Sequence, residues 1–257
     1  MTSDVVLPQR TGTLYGIGAG PGAPDLLTVR AERILKQCQV ICLPASTGRR
    51  SYAGTIIESY VDRSWQEIVP VKFPMQNVWE QALPARNEAV TTLLSYLRAG
   101  RDVAFVTEGD PLLYSTFGYM LEAVRQVDLA IPIEVIPGIT SITAAAASAC
   151  IPLTAWDERL AVLPAVHILE PQVVGAESPL QSIFQLFDTV VLLKINKVFD
   201  ALLDLLEELD LVQHAVFVRR CSTDQEEVIF DIQCLRGQTL DYFSLLIVRK
   251  THAICHR

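Results

Sequence analysis

The fold of this chain is indicated first by a glycine-rich stretch, YGIGAGPGAPD at residues 15–25. Residues 13–18 have the apolar character of a buried strand. Apolar side chains recur at helical spacing over residues 25–38, and Asp25 is the expected N-cap. A strand, a tight glycine loop and a helix in this order are typical of the first unit of a parallel α/β sheet.

The loop itself leaves several chemistries open. Its GxGxxA pattern at residues 18–23 matches the dinucleotide fingerprint, which would hold a pyrophosphate at the helix N-terminus. Pro21 and Pro24 lack the N–H donors that a phosphate needs, and Asp25 would repel it. We therefore disfavour a phosphate site. A simple connecting turn and a loop that contacts a cofactor without phosphates both remain open.

The same alternation of strand and helix continues to about residue 153. The predicted strands are 39–43, 67–73, 102–106 and 132–136, and the predicted helices are 52–60, 77–99, 113–127 and 140–150. The sequence thus predicts an N-terminal α/β domain, residues 1–153, with a mainly parallel five-stranded sheet.

The pattern changes beyond residue 153. Strands are predicted at 159–163, 188–194, 215–220, 227–231 and 243–249, helices at 178–187 and 198–209, and a long loop at 167–178. The last three strands follow one another with little helix between them, which implies antiparallel or mixed pairing. We expect a C-terminal α/β domain, residues 154–257, with a mixed sheet.

Two further loops open at the carboxyl ends of predicted strands, VTEGDPLLYST at residues 106–116 and PGITS at 137–141. Ligands of open α/β sheets bind at this edge. Alternatively, Asp110 only caps a helix that begins at Pro111, and Thr140 only caps the next one. Because three such loops open at one edge of one predicted sheet, we favour a ligand site there.

Composition excludes several classes of protein. The chain has 257 residues, 50% of them hydrophobic and 19% charged, and a net charge of −8. That balance excludes disorder, and an acidic chain without a basic stripe is not expected to bind nucleic acid. No stretch is apolar for the ~20 residues that a membrane span needs, and the first ten residues do not resemble a secretion signal, so a cytoplasmic location is expected. The six scattered cysteines form no CxxC pair, and no metal site is expected.

Taken together, the three loops resemble the tetrapyrrole methylase family. The resemblance runs from about Gly12 to Lys250 and rests on GxGxGxxD, GDPxxY and PGITS in that order. Within the family, five segments resemble the enzymes that methylate precorrin-2 at carbon 20: YGIGAGPGAPDLLTVRAERIL, EGDPLLYSTFGYM, DTVVLLKINKVFD, VFVRRCSTDQEEVI and LRGQTLDYFSLLIVRK. The sequence does not distinguish metal-free precorrin-2 from its cobalt-bound counterpart as substrate.

This resemblance implies two α/β domains, S-adenosylmethionine in a cleft between them, a tetrapyrrole substrate and a homodimer. The cofactor contacts that it implies are Pro21, Gly109, Asp110, Leu113, Tyr114, Ser115, Thr140, Ser141, Leu193, Lys194, Arg220 and Cys221. Lys194 departs from the family pattern, which offers a hydrophobic residue to the adenine at the strand end formed by Leu193 and Lys194.

A methyl group on a sulfonium is already activated, so catalysis is mainly positioning. Glu108 is a hypothetical base because of its position alone. The substrate is a polyanion and the chain is acidic, so a local basic patch is needed, and Arg49, Arg50 and Arg219 are the candidates. Other readings stay open: a uroporphyrinogen III methyltransferase, a nicotinamide-dependent oxidoreductase, or a non-catalytic regulator that binds the cofactor.

Overall fold

A computed structural model describes residues 10–45, 51–72, 79–169 and 178–250 of the chain. The chain divides into two compact units, Met1–Thr140 and Ser141–Arg257, called here the first and second units. Along the described parts of the chain, no helix combines the length and apolarity that crossing a bilayer requires.

The first unit contains a five-stranded sheet in which every pairing is parallel. Its strands are β1 (Leu14–Gly18), β2 (Val40–Ala45), β3 (Glu67–Lys72), β4 (Val103–Thr107) and β5 (Ile133–Ile136), in the order β3-β2-β4-β1-β5. All five carboxyl ends therefore lie at one edge. The predicted parallel five-stranded sheet is confirmed.

Helices cover both faces of this sheet, as the alternating side chains of β4 show. Val103 and Phe105 belong to one buried cluster, and Ala104 and Val106 belong to another on the opposite face. The helices are α1 (Val29–Leu35), α2 (Tyr52–Ile56), α3 (Trp79–Arg98) and α4 (Thr116–Val127). Burial on both faces explains why the sequence of β4 is almost continuously apolar.

Two predicted helix starts are wrong. α1 begins at Val29, and its N-cap is Thr28, whose hydroxyl accepts a hydrogen bond from the Ala31 amide at 3.1 Å. Asp25 lies instead in a separate 3-10 turn, Pro24–Leu26, and makes no capping bond. A hydroxyl three residues further on therefore starts the α-helix in place of the predicted carboxylate.

α4 likewise starts later than the sequence pattern predicts. The predicted helix begins at residue 113, whereas α4 starts at Thr116 with the Ser115 hydroxyl accepting from the Phe117 amide at 3.2 Å. Tyr114 has a φ of 51°, which ends any helix before it. Asp110 is therefore not the cap of α4.

The second unit contains a mixed five-stranded sheet, as predicted. Its strands are β6 (Leu160–Pro164), β7 (Thr189–Leu193), β8 (Ala215–Arg219), β9 (Glu227–Ile229) and β10 (Ser244–Arg249), in the order β6-β7-β10-β8-β9. β6 pairs with β7 in parallel, whereas β10 runs antiparallel to both β7 and β8. The helices of this unit are α5 (Ser141–Ser148), α6 (Pro179–Leu186) and α7 (Phe199–Glu208).

Helix α5 is bonded to the second unit. The Ser148 hydroxyl donates to the Glu226 carboxylate at 2.7 Å, and the Cys221 thiol lies 3.8 Å from the Ser141 carbonyl oxygen. The structural division thus falls before α5, whereas the sequence pattern draws the boundary after that helix, near residue 153.

Candidate functional site

Three glycines are in direct contact where β1, β4 and β5 end, and this region is called here the first loop edge. A Cβ added to Gly18 would lie 2.5 Å from the Gly109 carbonyl oxygen and 2.6 Å from the Gly138 Cα. A Cβ added to Gly138 would lie 2.1 Å from the same Gly109 oxygen. Real Cβ atoms do not approach backbone this closely, so the three loops meet only because Gly18 and Gly138 lack side chains.

The loop after β1 uses its amides inside the protein. The Gly109 amide donates to Gly20 at 2.8 Å, and the Gly20 amide donates back at 3.3 Å, which forms a short antiparallel bridge. The Ala19 amide donates to the Thr107 carbonyl oxygen at 2.8 Å. Because Pro21 has no amide hydrogen, this part of the loop offers no row of donors to a phosphate.

Asp110 joins the second loop to the third. One carboxylate oxygen accepts from the Gly138 amide at 3.1 Å, and the other accepts from the Leu112 amide at 2.9 Å. The carboxylate therefore fixes the distance between the loops that follow β4 and β5. Such charge-assisted bonds to backbone amides are among the stronger ones in proteins.

Glu108, the hypothetical base, lies at the same edge and is exposed. Its carboxylate accepts a hydrogen bond from the Ala53 amide at 3.3 Å, in the first turn of α2. The side chain is thus connected to the neighbouring loop of β2, and a carboxylate there is in reach of solvent.

Apolar side chains follow Asp110 at the surface. Leu112, Leu113 and Tyr114 are 58%, 41% and 48% exposed. Three consecutive exposed apolar residues beside a polar loop edge are a typical ligand-contact surface. Leu112 was not among the residues that the sequence selected, although two leucines directly after the GDP motif were the available signal.

The second unit has a comparable region where β7 and β8 end beside the start of β10, called here the second loop edge. Leu193 pairs with Leu245, and Arg219 pairs with Ser244. The predicted residues Lys194 and Arg220 come directly after these strand ends. Both have left-handed backbone, with φ of 57° and 46°.

All three guanidinium nitrogens of Arg220 donate hydrogen bonds within its own unit. Its guanidinium donates to Asp241 at 2.7 and 2.9 Å and to Gln225 at 2.8 Å. Its amide donates to the Phe243 carbonyl oxygen at 2.8 Å. Burial alone would raise the pKa of Asp241, but hydrogen bonds from the Phe243 amide and the Arg220 guanidinium hold that pKa below its ordinary value.

The neighbours of Arg220 are engaged as well. Arg219 forms an ion pair with Glu227 on β9. Cys221 is buried, and burial raises the pKa of its thiol to about 12, so the thiol stays neutral at physiological pH. The structure gives Cys221 no nucleophilic character.

The predicted cofactor residues fall into two groups. The first unit holds Pro21, Gly109, Asp110, Leu113, Tyr114, Ser115 and Thr140, and the second holds Ser141, Leu193, Lys194, Arg220 and Cys221. The predicted substrate residues Arg49 and Arg50 lie outside the described residues. In the parts of the chain that the structure describes, no three His, Cys, Asp or Glu side chains cluster as a metal ion would require.

Comparison with known proteins gives a consistent result. The family model described as Tetrapyrrole (Corrin/Porphyrin) Methylases matches residues 13–233. The cobalt-precorrin-2 C(20)-methyltransferase of Salmonella typhimurium is 31% identical in an alignment 247 positions long that covers 93% of this chain and 97% of that protein. The precorrin-2 C(20)-methyltransferase of Sinorhizobium sp is 30% identical in an alignment 245 positions long that covers 92% of this chain and 95% of that protein.

Among solved structures, the uroporphyrin-III C-methyl transferase of Thermus thermophilus, complexed with S-adenosyl homocysteine, has the same fold. The TM-score is 0.66 at 24% identity, and the match covers 93% of this chain and 98% of that one.

Proposed function

The chain belongs to the tetrapyrrole (corrin/porphyrin) methylases, and on this premise we propose that it transfers a methyl group from S-adenosylmethionine to carbon 20 of precorrin-2 or cobalt-precorrin-2. The assignment to carbon 20 is supported by two relatives with that activity in their names, each aligned over more than nine-tenths of both chains. The reaction belongs to cobalamin biosynthesis.

The hydrogen bonding of the glycine loop is the observation that supports S-adenosylmethionine as the cofactor. The amides of Ala19 and Gly20 are used by carbonyl oxygens of the neighbouring loop, so the edge suits a cofactor without phosphates. An added Cβ on Gly109, whose φ is 62°, would meet nothing within 4 Å, so the backbone there is open to a ligand. Leu113 and Tyr114 offer apolar surface beside it. These features fit S-adenosylmethionine and disfavour a nicotinamide dinucleotide.

S-adenosylmethionine, when bound, supplies a methyl group on a positively charged sulfur that an electron-rich carbon can attack directly. The work of the chain is then to bind and orient the two reactants, which alone accounts for large rate enhancements. Asp110 holds two loops of the first loop edge together and so fixes the backbone of Gly109 and Gly138 toward the cofactor. We propose that Gly109, Leu113 and Tyr114 contact the cofactor.

Methylated carbon 20 must lose one proton, and we propose Glu108 as the group that accepts it. The test is Glu108→Gln, because the glutamine oxygen can still accept from the Ala53 amide while the basic carboxylate is removed. We expect lower turnover with unchanged cofactor affinity. Near-normal turnover would remove Glu108 from the mechanism and leave solvent as the acceptor.

The substrate carries many carboxylates, and we propose that Arg49 and Arg50 bind some of them. Replacing both with alanine is expected to weaken tetrapyrrole binding and to leave S-adenosylmethionine binding nearly unchanged. Equal loss of both affinities would indicate misfolding. Arg219, the third sequence candidate, is paired with Glu227 through one guanidinium nitrogen, so its charge is already offset in part within the protein.

The decisive experiment incubates the purified chain with S-adenosylmethionine and, separately, precorrin-2, cobalt-precorrin-2 and uroporphyrinogen III. One added methyl group on either precorrin-2 form, located at carbon 20 by carbon-13 labelling, is the expected result. Methylation of uroporphyrinogen III alone would reassign the chain within the family. Cofactor binding without S-adenosylhomocysteine production would indicate a regulator.

We also propose that the enzyme is a cytoplasmic homodimer, as the family resemblance implies. Light scattering coupled to gel filtration tests the oligomeric state directly. A monomer at micromolar concentration would contradict this part of the proposal.

A further inference from the structure

Three cations lie at the second loop edge, Arg219 as the last residue of β8 and Lys194 and Arg220 directly after strand ends, and the two arginines are paired within the unit. Arg219 pairs with Glu227, and Arg220 pairs with Asp241 at 2.7 Å. Lys194 is half-buried, and no carboxylate of the described residues forms an ion pair with it. It is therefore the cation of this edge whose charge is not already used by an internal partner.

A lysine is unusual at position 194 because the backbone there is left-handed. Its φ of 57° and ψ of 41° are left-handed, and it immediately precedes a short 3-10 turn, Ile195–Lys197. Glycine or asparagine adopts this conformation with less strain than lysine does. A position that served only as a turn would be better filled by one of those residues, so the strained lysine points to a use for its side chain.

The net charge of the chain indicates which ligand the Lys194 side chain would bind. The net charge of −8 repels a polyanionic tetrapyrrole at long range. A cation already paired with an internal carboxylate does little to offset this repulsion, whereas an unpaired ammonium attracts a carboxylate fully. S-adenosylmethionine has a positive sulfonium and an internally balanced amino acid part, so its net charge does not favour a cation nearby.

We propose that the Lys194 ammonium binds a carboxylate of the tetrapyrrole substrate and thereby positions it at the second loop edge. This inference rests on the proposed function, because it takes its ligand from there. Lys194 is then a substrate-binding residue, and its predicted role as a cofactor contact is restricted to its backbone. The neighbouring Leu193 supplies the apolar side chain that the family offers to the adenine.

The test compares Lys194→Met, Lys194→Asn and Lys194→Arg with the control Lys197→Met, which removes the same charge from an exposed position three residues away. Three quantities are measured: KM for precorrin-2 or its cobalt form, Kd for S-adenosylmethionine by calorimetry, and the melting temperature. Tetrapyrrole Kd from absorbance titration without methyl donor adds a binding measurement that needs no turnover.

Lys194→Met and Lys194→Asn are expected to weaken tetrapyrrole binding about tenfold, the effect of losing one charge-assisted contact. Kd for S-adenosylmethionine stays within about twofold of wild type, and Lys194→Arg restores most of the tetrapyrrole affinity. Lys197→Met changes neither affinity. The melting temperature of Lys194→Asn is not lower than that of wild type, because asparagine tolerates left-handed backbone; a purely structural lysine would give the opposite result.

Unchanged tetrapyrrole affinity in Lys194→Met overturns the inference, as does a selective loss of S-adenosylmethionine affinity, which would assign the ammonium to the cofactor carboxylate. The two proposals fail separately. If wild type binds precorrin-2 in a Lys194-dependent way without methylating it, the proposed function fails and the inference stands. If wild type methylates carbon 20 and Lys194→Met is unaffected, only the inference fails.

Discussion

The first loop edge is built from backbone packed against backbone, whereas the second is held by charged side chains. In the first, Gly18, Gly109 and Gly138 touch, and a single carboxylate, Asp110, joins their loops. In the second, ion pairs of Arg219 and Arg220 hold the strand ends. The backbone contacts at Gly18 and Gly138 leave no room for an added Cβ, whereas ion pairs depend on charge, salt and pH. Added side-chain atoms should therefore destabilise the first loop edge, and changes of charge or pH should destabilise the second.

The largest effect is expected from Gly138→Ala at the first loop edge. Its Cβ would lie 2.1 Å from the Gly109 carbonyl oxygen, a backbone atom that cannot move aside alone. We expect a loss of about 3 kcal/mol in the free energy of unfolding, measured by urea denaturation, and loss of S-adenosylmethionine binding. The control is Gly118→Ala in α4, where an added Cβ meets nothing within 4 Å.

Gly118→Ala is expected to stabilise the protein by about 0.5–1 kcal/mol, because alanine is the better helix former. Similar stabilities for the two alanine variants would contradict the account of the first loop edge as rigid backbone packing.

A smaller and pH-dependent effect is expected from Asp241→Asn at the second loop edge. Removing the charge opposite Arg220 should cost about 0.2–1 kcal/mol at pH 7, the range for a solvent-accessible ion pair. The pKa of Asp241 is lowered in the folded state, so its contribution is present above the unfolded pKa of about 4 and is lost as pH falls through the folded pKa. The stability gap between wild type and variant should close at acidic pH.

Denaturation at a series of pH values from neutral to acidic checks this prediction, with Asp224→Asn, in the loop between β8 and β9, as the control. Asp224 is exposed, so its variant should follow wild type at every pH. A gap for Asp241→Asn that persists at the most acidic pH would show that the carboxylate acts through shape and not through charge.

The smallest effect concerns thiol access, which also differs between the units. Cys38 and Cys42 of the first unit are buried, and burial raises the pKa of each thiol to about 12. Cys150 and Cys234 of the second unit are exposed. In a Cys255→Ser background, a thiol reagent should modify only the exposed pair in the native state. Serine at either exposed position should change stability by less than about 0.5 kcal/mol.

Peptide mapping after labelling gives the readout. Modification of Cys38 or Cys42 in native buffer would mean that the first unit opens more readily than its packing indicates.

The contrast between the edges also explains what the sequence could predict. The glycine contacts of the first edge need particular residues at fixed spacing beside apolar runs, so a local motif reveals them. The partnership of Arg220 with Asp241, 21 residues apart, depends on the strand pairing of β8 and β10 and has no local signature. The sequence therefore suggested Arg220 as a ligand contact without showing that its guanidinium is engaged.

Helix starts were the weakest local predictions for a related reason. Asp25 and Thr28 are both good N-caps, and the choice between them depends on the 3-10 turn at Pro24–Leu26. The strands of both sheets were located within a few residues, because buried strands are apolar without interruption and end at loops of proline, glycine and charge.

The strand order of the first unit has a consequence for the newly made chain. Of the five strands in this sheet, β1 is synthesised first, yet its Leu14 pairs with Val103 on β4 and with Ile133 on β5. β2 and β3, separated only by a short crossover, can pair while β1 still waits for both neighbours. Such distant pairings close slowly. The contact between Gly18 and Gly138 must form in the last step of this sheet, so the edge proposed to bind the methyl donor is complete only when the whole sheet has formed.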